Sequence, residues 1–147
     1  AVASAVPAAR ARGIHVSADL PDAPVYAVVD GQRVGQVLDN LLGNAIAYCC
    51  ADDRVDVTVR QGDHDVEIRV ADSGPGIPAA ERERVFGAFQ RGDGSRGLPG
   101  SGLGLAISRA IVEAHGGTLV LDPATDRGAH FTARLPLAAA DTSEKGP

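Results

Sequence analysis

Two strictly alternating valine runs constrain this chain more than any other feature. Val55, Val57 and Val59 alternate with Asp56, Thr58 and Arg60, and Val66, Ile68 and Val70 alternate with Glu67 and Arg69. A period of two puts each apolar set on one face of a strand. The short polar link Gly62-Asp63-His64-Asp65 joins the two as a hairpin. Other segments carry helical spacing instead. Between Gln32 and about Cys49, Val34, Val37, Leu38, Leu41, Leu42, Ala45 and Ile46 form one apolar side, with Asp30 as N-cap. A second helix is predicted over about Leu103–His115, stopped by Gly116-Gly117, a C-terminal glycine signal. Ile14–Leu20 and Val25–Val29 read as strands. Thr118–Leu121 and Ala129–Leu137 read as a last hairpin around Asp126-Arg127-Gly128, and Ala79–Phe89 as a short helical piece in a loop running from Asp72 to Ser101. The result is a mixed sheet with helices on one face, an α+β two-layer sandwich. Residues 1–13 read as a linker from an upstream region, 14–137 as the domain, and 138–147 as a disordered tail.

Composition excludes several functions. At 147 residues and 44% hydrophobic content the chain suits one domain with one core. A net charge of −5 argues against nucleic-acid affinity, which needs a basic footprint. No apolar stretch is long enough to cross a bilayer, and the start lacks the order of a secretory signal. Cys49 and Cys50 are neighbours, a poor disulfide without metal-ligand spacing, and read as reduced thiols. Lys145 is the only lysine, so any phosphate chemistry must rely on arginine.

Four segments carry chemistry. On the first long helix Arg33, Gln36, Asn40, Asn44 and Tyr48 recur at three- and four-residue steps and lie along one face. A solvated face would look similar, but two mid-helix asparagines one turn apart cost stability. An asparagine carbonyl is a neutral hard oxygen suited to Mg²⁺. Asp72-Ser73-Gly74-Pro75-Gly76-Ile77 follows a strand; the carboxylate can accept from an exocyclic amino group, and the glycines let backbone pass close to a flat ring. The same residues equally make an ordinary turn. Gly100-Ser101-Gly102-Leu103-Gly104-Leu105 opens the second long helix and leaves N–H groups for phosphate; a plain flexible loop is the competing reading. It is neither a dinucleotide fingerprint nor a P-loop. Between these lie Val85-Phe86-Gly87-Ala88-Phe89-Gln90-Arg91 and a glycine-rich stretch. They suit a lid that docks through its aromatics, with Arg91 as the best available cation for terminal phosphates.

In order and spacing these segments resemble the ATP-binding catalytic domain of bacterial sensor histidine kinases, a branch of the superfamily shared with DNA gyrase, MutL and the large heat-shock chaperone. DGQRVGQVLDNLLGNAIAY at 30–48 is similar to the N box, DSGPGI at 72–77 to the G1 box, VFGAFQR at 85–91 to the F box and GSGLGLAI at 100–107 to the G2 box. The resemblance covers roughly residues 14–137 and implies a Bergerat-type fold with a mobile ATP lid. It implies that Asn44 holds Mg²⁺, that Asn40 supports the phosphates or metal, and that Tyr48 sits beside the nucleotide. Asp72 would bind the adenine amino group within a turn including Gly74, Gly76 and Ile77. Arg91 would approach the γ-phosphate, and Gly100, Ser101, Gly102, Leu103, Gly104 and Leu105 would line the phosphate loop. Asn40 and Arg91 are the residues placed at the reaction. Two positions depart from the pattern: Ala47 stands where the family often has Lys or Arg, and Cys49 where Ser or Thr is common. Modest ATP affinity is therefore expected.

The superfamily's ATPases carry a glutamate as general base four residues before the metal asparagine. Here that position is Asn40, and Asp39 is rotated about 100° around the helix. A kinase is thus expected over a hydrolase; a nucleotide-gated interaction module without transfer is the alternative. His15, His64, His115 and His130 all lack the phosphoacceptor context, so the acceptor histidine is expected on an upstream dimerisation domain. The resemblance further implies a response-regulator partner, a monomeric isolated domain, a homodimeric full-length protein, and a cytoplasmic position below a membrane anchor.

Overall fold

The computed structural model describes residues 2–27, 29–82, 84–87, 104–123 and 127–137. Its elements are α1 (Val2–Ala11), β1 (His15–Asp19), α2 (Gly31–Tyr48), β2 (Arg54–Gln61), β3 (Asp65–Asp72), α3 (Ala79–Arg82), α4 (Gly104–Ala114), β4 (Thr118–Leu121) and β5 (His130–Pro136). The strands form one sheet in the order β1-β2-β3-β5-β4. β1 runs parallel to β2, and every other pair is antiparallel. The mixed sheet of the sequence reading is present.

The hairpin forms as the alternation requires, with Val57 opposite Val70 and Val59 opposite Ile68. The same parity continues across β5, where Val70 faces Phe131 and Val66 faces Leu135, and into β4, where Leu119 faces Ala133. Val55, Val70, Phe131, Leu135 and Leu119 are all at most 3% exposed, which makes this the covered face. Its cover is α2 and α4, which pack on each other, with α2 against β2 and β3 and α4 against β4 and β5. From α2, Val37, Leu41, Leu42, Ala45 and Ile46 are buried.

The ends of these helices are closed by side chains. Asp30 accepts from the N–H groups of Gln32 and Arg33, a cap worth about 1 kcal/mol. α2 has no basic residue in its last turn; Arg12 supplies the cation from outside, donating to the carbonyls of Ile46 and Cys49, where the helix dipole is negative. α4 ends in a Schellman arrangement, with Gly117 N–H on Val112 O and Gly116 N–H on Glu113 O. Gly116 has φ +80°, the left-handed conformation that glycine adopts most cheaply. His115 ties the helix layer together: its Nδ1 bonds Ile111 O, and its Nε2 accepts from the Asp30 N–H.

Three expectations change. Val25–Val29 is not a strand: its described residues join no ladder. Val25 and Val29 pack against the core while Tyr26 is exposed, so the run's described residues bury apolar side chains without pairing. Residues 2–11, read without an element, form helix α1, which packs on α2 and β1 and buries Ala9 to 1%. An alanine-rich helix buries too little per residue to print a strong periodic pattern. The helical piece at 79–89 is a four-residue helix, α3, followed by turn residues at 84–87; Ala88 and Phe89 lie outside the described residues. So does the tail from Ala138.

Candidate functional site

The asparagine stripe is graded along α2. Arg33 and Gln36 are exposed, whereas Asn40, Asn44 and Tyr48 are half-buried. Asn40 explains its own position: its Nδ2 donates to Gly104 O at 3.2 Å and to Ser108 Oγ at 3.0 Å. Ser108 is fully buried, so the amide satisfies a polar group inside the helix pair and pins the first turn of α4 to α2. A Cβ on Gly104 would stand 3.7 Å from the Asn40 amide carbon, so the two helices approach closely here. One turn on, the half-buried Asn44 amide makes no side-chain hydrogen bond among the described residues. One asparagine is a tie and the other has its amide uncommitted. Asp39 is exposed.

Asp72 closes the other end. It keeps the inward parity of Val66, Ile68 and Val70, facing Val55 in the ladder, so a carboxylate stands on the apolar face, 7% exposed. Its Oδ1 accepts from Gly74 N at 2.9 Å and from Ala129 N at 3.2 Å. Among the described residues Oδ2 takes no hydrogen bond. Burial pushes the Asp72 carboxyl above the ordinary carboxylate value, against the pull of those two N–H groups. Glycines crowd the carboxylate. A Cβ on Gly128, where φ is +81°, would overlap the Asp72 carbonyl oxygen, and one on Gly74 would reach 3.2 Å from Oδ1. Gly76, with φ +82°, lies against Gly128 O, and Ile77 packs on the core. Cys49, 1% exposed, lies beside this turn, its thiol pushed up to about 12 by burial first and by the Asp72 and Asp53 charges after it.

Phe86 anchors the start of the 85–91 segment. It meets Phe131 edge-on, with ring centroids 5.9 Å apart, and Arg109 of α4 stands 4.7 Å above its ring, a cation–π contact. Of the residues expected at the phosphates, Gly104 and Leu105 open α4. Arg91, Gly100, Ser101, Gly102 and Leu103 lie outside the described residues, as does the expected lid from Ala88 onward.

The structure thus brings Asn40 to Gly104, and Tyr48 and Cys49 to Gly74, whose Cβ would meet Tyr48 O at 3.3 Å and Cys49 Sγ at 3.5 Å. Residues 29–139 match the histidine kinase-, DNA gyrase B- and HSP90-like ATPases. The chain belongs to that family. Over 100 residues it is 47% identical to the histidine-protein kinase/phosphatase MprB of Mycolicibacterium smegmatis, covering 67% of this chain and 20% of that protein. Over 130 residues it is 36% identical to the sensor protein KdpD of Escherichia coli, covering 88% and 14%. A solved mycobacterial MprB structure superposes with TM-score 0.80 at 34% identity over 93% of both chains. ShkA, solved full-length in complex with AMPPNP, gives 0.82 at 32% identity over 95% of this chain and 29% of its own. The chain spans a fifth or less of the length of these curated relatives. Its sequence and fold are those of a sensor histidine kinase catalytic domain.

Sequence reasoning missed Ser108, Asp53, Arg127 and Ala129. The inward parity of Asp72 was a readable sign of its burial. These missed partners were not readable, because they come from segments 20 to 74 residues away.

Proposed function

We propose that this domain binds Mg–ATP and donates the γ-phosphate to a histidine on a separate dimerisation domain, the opening step of two-component signalling. The observation that carries this reading is Asn40. It occupies the position of the ATPases' general base, its amide is committed to Gly104 O and Ser108 Oγ, and Asp39 beside it is exposed. A neutral amide does not activate water at neutral pH, while an imidazole brought from outside needs no such base.

Asp72 would select adenine through Oδ2, the oxygen its backbone partners leave available. Tyr48, Gly74, Gly76 and Ile77 would line the base, and the α4 N-terminus at Gly104 and Leu105 would face the phosphates. Asn44 fits a magnesium ligand: its amide is uncommitted, and no group of three or more His, Cys, Asp or Glu among the described residues could hold an ion by itself. The ion would neutralise phosphate charge. Arg91 and residues 100–103 would complete the phosphate end, under a lid. No described helix is long and apolar enough to cross a membrane; in this reading an anchor and the homodimer interface belong to a larger protein, and the response regulator is its separate partner.

The test uses labelled ATP. The chain alone should stay unlabelled and release no phosphate above buffer. Adding the upstream dimerisation domain should produce acid-labile phosphohistidine on that partner. Steady phosphate release by the chain alone would make it a hydrolase. Binding with no transfer to the added partner would make it a nucleotide-gated interaction module. Calorimetric ATP affinity should be modest, given Ala47; sub-micromolar binding would overturn that expectation.

A further inference from the structure

A second carboxylate lies behind Asp72 and none of the boxes includes it. Asp53, in the link between α2 and β2, is 8% exposed. Its Oδ2 accepts from Cys50 N at 2.8 Å, just past the end of α2. Its Oδ1 accepts from Ser73 Oγ at 3.0 Å and from Arg127 Nη2 at 3.4 Å. The same arginine donates through Nε to Ser73 O. The Ser73 hydroxyl also accepts from Arg54 N at 2.8 Å, which fixes its proton toward Asp53. One carboxylate therefore joins three segments: the exit of α2, the 73–77 turn and the connection from β4 to β5.

Two of those segments hold Asp72. Gly74 N belongs to the turn and Ala129 N to the connection, and both donate to the same oxygen. Where Oδ2 points depends on how these two N–H groups are spaced. The Asp72 N–H on Ala129 O fixes Ala129, and the turn beyond Asp72 meets the stretch before Ala129 at Asp53, Ser73 and Arg127 and at the packing of Gly76 on Gly128. The Cys50 N–H, then Ser73 and Arg127, hold the Asp53 carboxyl below its ordinary value despite burial, consistent with a permanent anion paired to Arg127.

We propose that Asp53, with Ser73 and Arg127, positions the Asp72 carboxylate and so sets the preference of the site for a base bearing an exocyclic amino group. This rests on the reading of Asp72 as the adenine acceptor. A staple that served stability alone would weaken all nucleotides equally. A positioning residue should weaken ATP and spare inosine triphosphate, whose base has an oxygen in place of the amino group. The readout is therefore the ratio of the two affinities, by calorimetry on the intact chain. Asp53→Asn should lower the ATP-to-inosine-triphosphate ratio roughly fivefold, the factor carried by about one hydrogen bond. Arg127→Gln, on a side chain 68% exposed and so tolerant of change, should lower it by a smaller factor of the same sign. If Asp53→Asn does not fold, Arg127→Gln decides. Asp72→Asn separates the two readings. If it leaves the ratio unchanged, the adenine assignment itself fails. If it collapses the ratio while Arg127→Gln and Asp53→Asn shift both nucleotides alike or shift neither, the adenine assignment stands and the positioning role is wrong.

Discussion

In the proposed reading, the base and phosphate ends of the nucleotide site are built differently. At the base end, Asp72 is held by backbone: two N–H groups on one oxygen, a ladder bond on its own N–H, and glycines packed so tightly that a Cβ at 128 has no room. At the phosphate end, α2 and α4 pack on each other and the first turn of α4 is tied by a side chain, Asn40 to Gly104 and Ser108. Backbone held by a sheet is pre-organised, whereas a helix start tied through a side chain has more room to adjust. The difference suits the proposed ligand, whose base is constant and whose phosphates would be presented to a second protein.

The largest expected effect comes from crowding the base end. Gly128→Ala places a Cβ on the Asp72 carbonyl oxygen at positive φ and should cost about 3 kcal/mol or more of stability, if the protein folds at all; urea denaturation measures this. An Ala variant as stable as the parent would show that the base end gives way easily, and the contrast would be lost. Asn40→Ala at the phosphate end should cost about 1–2 kcal/mol, because two hydrogen bonds go and buried Ser108 loses a partner. Asn44→Ala one turn on should change stability by less than about 0.5 kcal/mol, yet abolish the gain in ATP affinity on adding Mg²⁺. If the two asparagine variants behave alike in both assays, the division between tie and ligand is wrong.

Asp72→Asn sharpens the comparison through pH. The folded carboxyl is raised, so the folded state holds its proton more tightly than the unfolded chain. That contribution to stability is full below the unfolded value and is lost as pH rises through the folded one. At neutral pH the buried anion is therefore a liability, and the Asn variant, still an acceptor for Gly74 and Ala129, should melt at the same or a higher temperature than the parent. Its advantage should shrink as pH falls through the Asp72 titration, while ATP binding is weakened throughout. The smallest effect is chemical. With its thiol held up at about 12 and buried, Cys49 should resist iodoacetamide at pH 8 while exposed Cys50 reacts, giving one adduct by mass spectrometry.

Much of the fold was legible because period two and period 3.6 are local properties. The valine alternation placed β2 and β3 as a hairpin, and Asp30 and Gly116-Gly117 marked helix ends that the structure keeps. Val25–Val29 misled because an apolar run that packs on the core without pairing and one that pairs in a sheet look alike in sequence. Helix α1 was invisible because alanine fits a helix without announcing which side is buried.

Of the site, the sequence by itself determined the inventory: asparagine rather than glutamate at 40, a second asparagine at 44, a carboxylate at 72, glycines where backbone must come close, and no lysine before residue 145. These are residue identities and spacings along one chain, and chemistry follows from them directly. Only the tertiary structure decided how the residues are used. It committed the Asn40 amide to α4 and left that of Asn44 uncommitted, although both sit on the same stripe. It turned Asp72 inward against two N–H groups, and set Asp53 behind it to join segments 20 and 74 residues apart in the chain. Such pairings arise when the sheet and the helix layer close on one another, and no periodicity along the chain encodes which distant groups then come to lie within 3 Å.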